Sequence, residues 1–126
     1  MTFDKAKKAQ AHLDLANKRV MDIAGLSQRD DLSKKEKLLR EYSKNWDKFF
    51  DLMSKVEVSQ FDGPSQKARR NLKKQKEILS YLASNAPSQE KEKISQTLKV
   101  QEEKFNQFFN TFQGTDQLEK FKEDLF

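Results

Sequence analysis

Apolar residues recur at alternating spacings of three and four positions along most of this chain, which is the pattern of amphipathic α-helices. The first such stripe predicts a helix from about Phe3 to Ala24. Half of its members are alanine, and such small side chains let a neighbouring helix approach closely. The stripe consists of Ala6, Ala9, Leu13, Ala16, Val20 and Ile23.

The second stripe carries the largest apolar side chains, and we expect it at the centre of the core. Ser33 and Glu36 have the spacing of a capping box, which predicts that this helix begins at Lys34. Tyr42 and Trp46 need polar partners for their O–H and N–H groups, or a position near the rim. The stripe is Leu39, Tyr42, Trp46, Phe49, Met53 and Val56, widened by Leu38 and Phe50.

Two turns that contain proline divide the second half of the chain. Gly63 and Pro64 interrupt the helical pattern, and Ser65 is expected to cap a third helix that ends near Ala83. Pro87 suits the first turn of a fourth helix, from about Ser88 to Gln113. The third stripe is Ala68, Leu72, Gln75, Leu79 and Leu82; the fourth is Ile94, Leu98, Gln101, Phe105, Phe108 and Phe112, with Phe109 alongside.

Gln75 and Gln101 occupy inward positions in otherwise apolar stripes. A buried amide is costly unless it is hydrogen-bonded, and polar residues at such positions can fix the register of helices. One hypothesis is that the two glutamines meet each other or a buried water. The alternative is that each lies near an end of the core and reaches solvent.

The predicted fold is all-α. Short turns between long helices favour antiparallel neighbours, so we expect a single domain, residues 1–126, folded as an up-down bundle of four main helices. Gly114 suits a helix C-cap, and Leu118, Phe121 and Leu125 would lie on one side of a short C-terminal helix. That tail either docks on the bundle or serves as a linear motif for another protein. A three-helix bundle with a mobile tail and an extended coiled coil are the alternative architectures.

The composition argues against most site chemistry. The chain has no cysteine and a single histidine, His12, so zinc-thiolate sites, cysteine nucleophiles and multi-histidine metal sites are excluded. Its three glycines are far apart, which excludes a glycine-rich phosphate loop. We therefore expect no enzyme activity, cofactor or metal. Without a long apolar segment or a secretory signal, we expect a soluble cytoplasmic protein.

The stretch KARRNLKKQK concentrates the positive charge of the molecule on the third helix. Residues 65–84 carry six basic side chains and one acidic one, a net charge of +5, whereas the rest of the chain has 19 of each sign. Clustered positive charge attracts phosphate backbones and acidic protein surfaces. The candidate binding residues are Lys67, Arg69, Arg70, Lys73, Lys74 and Lys76.

This charge predicts a non-enzymatic interaction protein, such as an adaptor, inhibitor or assembly factor, that binds an acidic protein partner through the basic helix. The first alternative is a nucleic-acid binder of low sequence preference, although no nucleic-acid-binding motif accompanies the charge. Others are a structural subunit, a homo-oligomer and, least favoured, a membrane-surface protein. The basic face of the third helix would have no binding function if it were a plain solvated surface, partly neutralised by Glu90, Glu102 or Glu103. A weaker basic group, Lys34, Lys35, Lys37 and Arg40, opposes the dipole of the second helix.

Overall fold

A computed structural model describes residues 2–26, 32–60 and 62–111, and these residues form helices joined by short connections without any strand. The prediction of an all-α fold is therefore confirmed. The predicted C-terminal helix lies outside the described residues, and so do Phe112 of the fourth stripe and Gly114, the predicted C-cap. The elements are α1 (Thr2–Gly25), α2 (Leu32–Met53), a short 3₁₀-helix (Val58–Gln60), α3 (Asp62–Ser84) and α4 (Ser88–Thr111).

Two predicted helix starts are wrong. Helix α2 begins at Leu32, so Ser33 lies within the first turn instead of capping it. Helix α3 begins at Asp62, which places Pro64 in its first turn and Ser65 inside the helix. Proline is tolerated there because the first backbone N–H groups of a helix have no acceptor within the helix. Pro64 therefore does not mark the helix boundary that the sequence suggested.

The apolar stripes meet in one core, as their periodicity predicted. The six members of the first stripe and the six of the second are buried, including Val56 just beyond α2, while Leu38 and Phe50, which widen the second stripe, are half-buried. In α3 and α4 the predicted members Leu82 and Leu98 are only half-buried and pack against the core, while Ala83 is buried instead. Burial of this apolar area is the main favourable contribution to folding.

The four helices pack in a ring whose order differs from their order in the sequence. Helix α1 contacts α2 and α3, and α4 also contacts α2 and α3. Within the described residues, no Cα atom of α1 comes within 8 Å of α4, and the same holds for α2 and α3. These two pairs therefore lie diagonally across the bundle. The connection that crosses this diagonal contains the 3₁₀-helix, which touches α1 and α3.

The two inward glutamines satisfy the polar atoms of the two large aromatic residues of α2. Trp46 donates its Nε1–H to Gln75 Oε1 at 3.0 Å, and Tyr42 donates its O–H to Gln101 Oε1 at 2.8 Å. Gln75 is fully buried and Gln101 nearly so, which rules out solvent contact, and the oxygen of each accepts from an aromatic residue of α2 and not from the other glutamine. Because α2 and α3 are diagonal, the bond between Trp46 and Gln75 crosses the core. Burial also raises the pKa of the Tyr42 phenol far above its ordinary value.

A buried ion pair joins the beginnings of α2 and α4. Lys35 Nζ lies 2.7 Å from Glu90 Oε1, and the two side chains are only 7% and 11% exposed. A cation in the first turn of α2 opposes the dipole of that helix, but Glu90 in the first turn of α4 has a favourable position. The pair thus accounts for one member of the weaker basic group, because Lys35 points into the bundle. Lys34, Lys37 and Arg40 remain exposed.

Candidate binding surface on helix α3

The structure places the six predicted binding residues on two different parts of α3. Ala68, Leu72 and Leu79 are fully buried and define the side of the helix that faces the core. At about 100° per residue, the opposite side carries Arg70, Lys73 and Lys74, which are all exposed. Lys67, Arg69 and Lys76 lie on the flanks and are half-buried. Only three of the six predicted residues, Arg70, Lys73 and Lys74, therefore form the fully exposed part of this surface.

The flanking residues are already engaged within the chain. Lys67 Nζ lies 2.8 Å from Asp14 Oδ1 of α1, with Lys67 half-buried and Asp14 exposed. Arg69 and Lys76 also have interaction partners in the protein. The counter-charge for Lys67 thus comes from α1 and not from α4, where the sequence suggested it. Of the α4 carboxylates considered, Glu90 is the partner of Lys35, and Glu102 and Glu103 are exposed.

Arg70, Lys73 and Lys74 form no ion pair within the described part of the chain, and neither does Glu77 beside them. Glu77 follows Lys73 by four residues, but lysine before glutamate is the less favourable order for such a helical pair. The three cations therefore remain available to an outside anion. They occupy positions i, i+3 and i+4, which places them within about 100° of the helix circumference.

Tyr81 belongs to the same surface, although it was not among the predicted binding residues. Its side chain is 70% exposed, the largest exposure among the large hydrophobic residues for which the structure gives a value. Eleven residues separate Tyr81 from Arg70, which is close to three full turns, so both lie on one side of α3. That spacing was readable in the sequence. We call the surface formed by Arg70, Lys73, Lys74 and Tyr81 the α3 outer face.

The α3 outer face has the chemistry of an anion-binding surface with an aromatic contact. Arg70 offers a planar guanidinium that can bind a carboxylate or phosphate in bidentate fashion, while the two lysines act as mobile point charges. An exposed tyrosine supplies apolar area and an O–H group at low cost in conformational entropy. Tyrosine and arginine are also the residue types enriched at the centres of protein interfaces.

The other polar clusters join helices of the bundle. His12 Nδ1 lies 2.9 Å from Asn45 Oδ1, which links α1 to α2, and the histidine is half-buried. Arg19 Nε lies 2.8 Å from Glu41 Oε2 on the same seam. Within the residues that the structure describes, no three acidic or histidine side chains gather as metal ligands would. Over the same residues, none of the helices has an apolar stretch sufficient to cross a bilayer.

Comparison of the chain with models of protein families, with curated proteins and with solved structures found no match.

Proposed function

We propose that this protein is a non-enzymatic interaction protein that binds an acidic protein partner through the α3 outer face. The observation that carries the proposal is the group of three exposed cations, Arg70, Lys73 and Lys74, without a counter-ion in the described chain. Elsewhere on α3 the basic side chains are engaged, as Lys67 is by Asp14. Three cations with only Glu77 beside them thus remain open to solvent on one side of α3.

Tyr81 favours a protein partner over a purely electrostatic contact. A surface that only attracts counter-ions needs no exposed aromatic residue, whereas a protein interface gains from an aromatic side chain that excludes water. Arg70, Lys73 and Lys74, which precede Tyr81 on the same side of α3, would accelerate the encounter with an acidic surface. The combination supports an interface in which charge guides association and Tyr81 provides contact area.

The test is a fluorescence anisotropy titration with a labelled, glutamate-rich peptide at several salt concentrations. We expect binding that weakens as salt is added. The triple variant R70Q/K73Q/K74Q should bind about ten-fold more weakly, because three opposite charges are lost at the contact. Replacing Tyr81 with alanine should also weaken binding, with little change in the dependence on salt.

The matched control removes three charges elsewhere. Lys18, Lys48 and Lys91 are exposed on α1, α2 and α4, so K18Q/K48Q/K91Q has the same net charge as the triple variant. This control should bind the peptide within about two-fold of the unaltered protein. Equal loss in both triple variants would show that net charge alone matters and would refute a binding face on α3.

Nucleic acid is the alternative that the same surface allows, since bases stack on exposed aromatic residues and lysines contact phosphates. A labelled single-stranded DNA of about 20 nucleotides, titrated under identical conditions, separates the two. The proposal requires tighter binding of the acidic peptide than of DNA at the same salt concentration. Tighter binding of DNA would favour the nucleic-acid function over the binding of an acidic protein. If neither probe bound, both proposed functions would be rejected.

We also infer that the four helices alternate in direction along the bundle. Between α1 and α2, His12 meets Asn45 while the later Arg19 meets the earlier Glu41, as in an antiparallel pair. Between α2 and α4, Lys35 meets Glu90 and Trp46 meets Phe105, as in a parallel pair. Spin labels at Lys8 and Lys48 should therefore be closer together than labels at Lys8 and Lys37. The reverse order of distances would contradict the alternation.

A further inference from the structure

The seam between α2 and α4 contains a surface groove. At its upper end, toward the beginnings of α2 and α4, a depression of about 310 Å³ is lined by residues that include Leu39, Lys44 and Thr97. At its lower end a depression of about 400 Å³ lies between Phe50 and Phe108. A narrow cleft beside Val100 and Gln101 lies between the two. The groove thus follows the seam over most of the length of α4.

Apolar side chains are accessible in the middle and lower parts of this groove. Val100 is 39% exposed, and Phe50 is only half-buried although it packs against the rings of Phe105 and Phe108. Exposed apolar side chains that line a depression mark a surface that another apolar element can cover. An aromatic side chain inserted beside Phe50 would extend an aromatic cluster that already exists.

A polar atom without a partner also lies at the centre of the groove. Gln101 uses its Oε1 to accept the Tyr42 hydrogen bond, but its Nε2 group is buried and has no partner within the described residues. Gln101 lines the narrow cleft between the two depressions. A buried N–H without an acceptor is unfavourable, so an acceptor brought into the cleft would be stabilised.

The chain itself supplies an element of matching chemistry directly after α4. Residues 112–126 contain an apolar stripe at helical spacing, Leu118, Phe121 and Leu125. The segment carries four acidic and two basic side chains, a net charge of −2. The upper part of the groove carries three cations, Arg40, Lys44 and Lys93, against two carboxylates, Glu36 and Asp47. The apolar stripe of the segment therefore matches the apolar side chains of the groove, and its negative charge matches the excess of cations at the upper end.

We propose that residues 116–126 bind in the α2–α4 groove as an amphipathic helix that runs back along α4. Eleven helical residues extend about 16 Å, which is the length of α4 from Phe108 back to Leu98. A turn at residues 112–115, with Gly114 in the left-handed conformation that it readily adopts, would reverse the chain. Leu118 would then lie beside Phe108, and Leu125 beside Val100. This inference does not depend on partner binding by the α3 outer face.

The absence of cysteine makes a disulfide cross-linking test direct. In a double variant V100C/L125C of the full chain, docking holds the two thiols together and raises their effective concentration. We expect an intramolecular disulfide to form about ten-fold faster than in the control pair K73C/L125C, whose partner position lies on the α3 outer face. Circular dichroism of each reduced variant verifies that the bundle is folded.

A second variant separates docking from random collision. Adding L118E and F121E to V100C/L125C removes the apolar contact but leaves both thiols and the buried core in place. The cross-linking rate should fall to that of the control pair. Equal rates for V100C/L125C and K73C/L125C would overturn the proposal, as would faster reaction of the control pair. Disulfides that form only between molecules would also overturn it, since a second copy would then occupy the groove.

Discussion

Lys35 and the α3 outer face show two opposite uses of positive charge in one small protein. Lys35 is buried and paired with Glu90 at 2.7 Å, so its charge is neutralised and helps to join α2 to α4. Arg70, Lys73 and Lys74 are exposed and have no ion pair in the described chain. In the sequence both groups look alike, as clusters of lysine on a helix.

The role of a charge in this protein is therefore decided by its partner and its burial, and not by the number of charges nearby. A buried ion pair is sensitive to loss of one partner, because the other charge stays in a poorly solvated site. Neutralising an exposed lysine changes the free energy of unfolding very little, since water solvates that lysine in both the folded and the unfolded state. Substitutions in the two regions should therefore differ in what they affect, namely stability in one and binding in the other.

The largest effect on stability is expected from Lys35→Met. Glu90 would remain buried without its cation, so the free energy of unfolding should fall by about 3–5 kcal/mol. Chemical denaturation measures this change in the free energy of unfolding. The neighbouring variant Lys34→Met, at an exposed position, should change stability by less than about 0.5 kcal/mol. The double variant K35M/E90L should recover much of the loss, and no recovery would show that Lys35 acts through packing.

A smaller loss of stability is expected from Gln75→Leu, which tests a buried polar group that carries no charge. Trp46 would keep a buried N–H with no acceptor, which costs about 1–3 kcal/mol. The double variant W46F/Q75L removes both polar partners. Denaturation should show that its stability loss is less than the sum of the two single losses. Simple additivity would contradict a hydrogen bond across the core.

The Tyr42 phenol should make stability depend on pH in the alkaline range. Its pKa is near 10 in the unfolded chain and is raised in the folded protein, so above pH 10 the unfolded state loses its proton first. Stability should therefore fall there, by at most about 1.4 kcal/mol per pH unit from this group. The control is Tyr42→Phe, in which this part of the pH dependence is absent. Identical alkaline profiles would rule out the buried phenol as its cause.

The smallest effect on stability is expected from R70Q/K73Q/K74Q. Three exposed side chains without ion pairs should together contribute less than about 0.5 kcal/mol to the free energy of unfolding. Thermal denaturation of this variant should therefore match that of the unaltered protein, although its binding of the acidic peptide is weakened. A marked loss of stability would place these residues in the same class as Lys35.

The sequence predicted the parts of the fold that depend on periodicity. The inner stripes followed from spacing alone, and so did the inward positions of Gln75 and Gln101. Their partners did not, because the bonds to Trp46 and Tyr42 depend on which helices are neighbours. Short connections suggested that successive helices pack side by side, yet α2 and α3 lie diagonally. That order depends on how all four stripes fit together, which no local pattern records.

The candidate site was predicted in outline, and two signals in the sequence were overlooked. Lys35 precedes Leu39 by four residues, in phase with the inner stripe of α2, and Glu90 precedes Ile94 by the same spacing. Those spacings indicated burial for both charges. Tyr81 shares the phase of Arg70 and Lys74, which indicated an exposed aromatic residue on the basic side of α3. The engagement of Lys67 by Asp14 required the packing of α1 against α3 and was not readable.

The most direct test of the proposed binding surface is a two-dimensional ¹⁵N–¹H NMR titration of the full chain with the glutamate-rich peptide. We predict that the largest chemical-shift changes follow the α3 outer face, at Arg70, Lys73, Lys74 and Tyr81, while the resonances around Lys35 stay unchanged. Changes centred on the exposed lysines of α2, or spread evenly over all basic residues, would contradict the account.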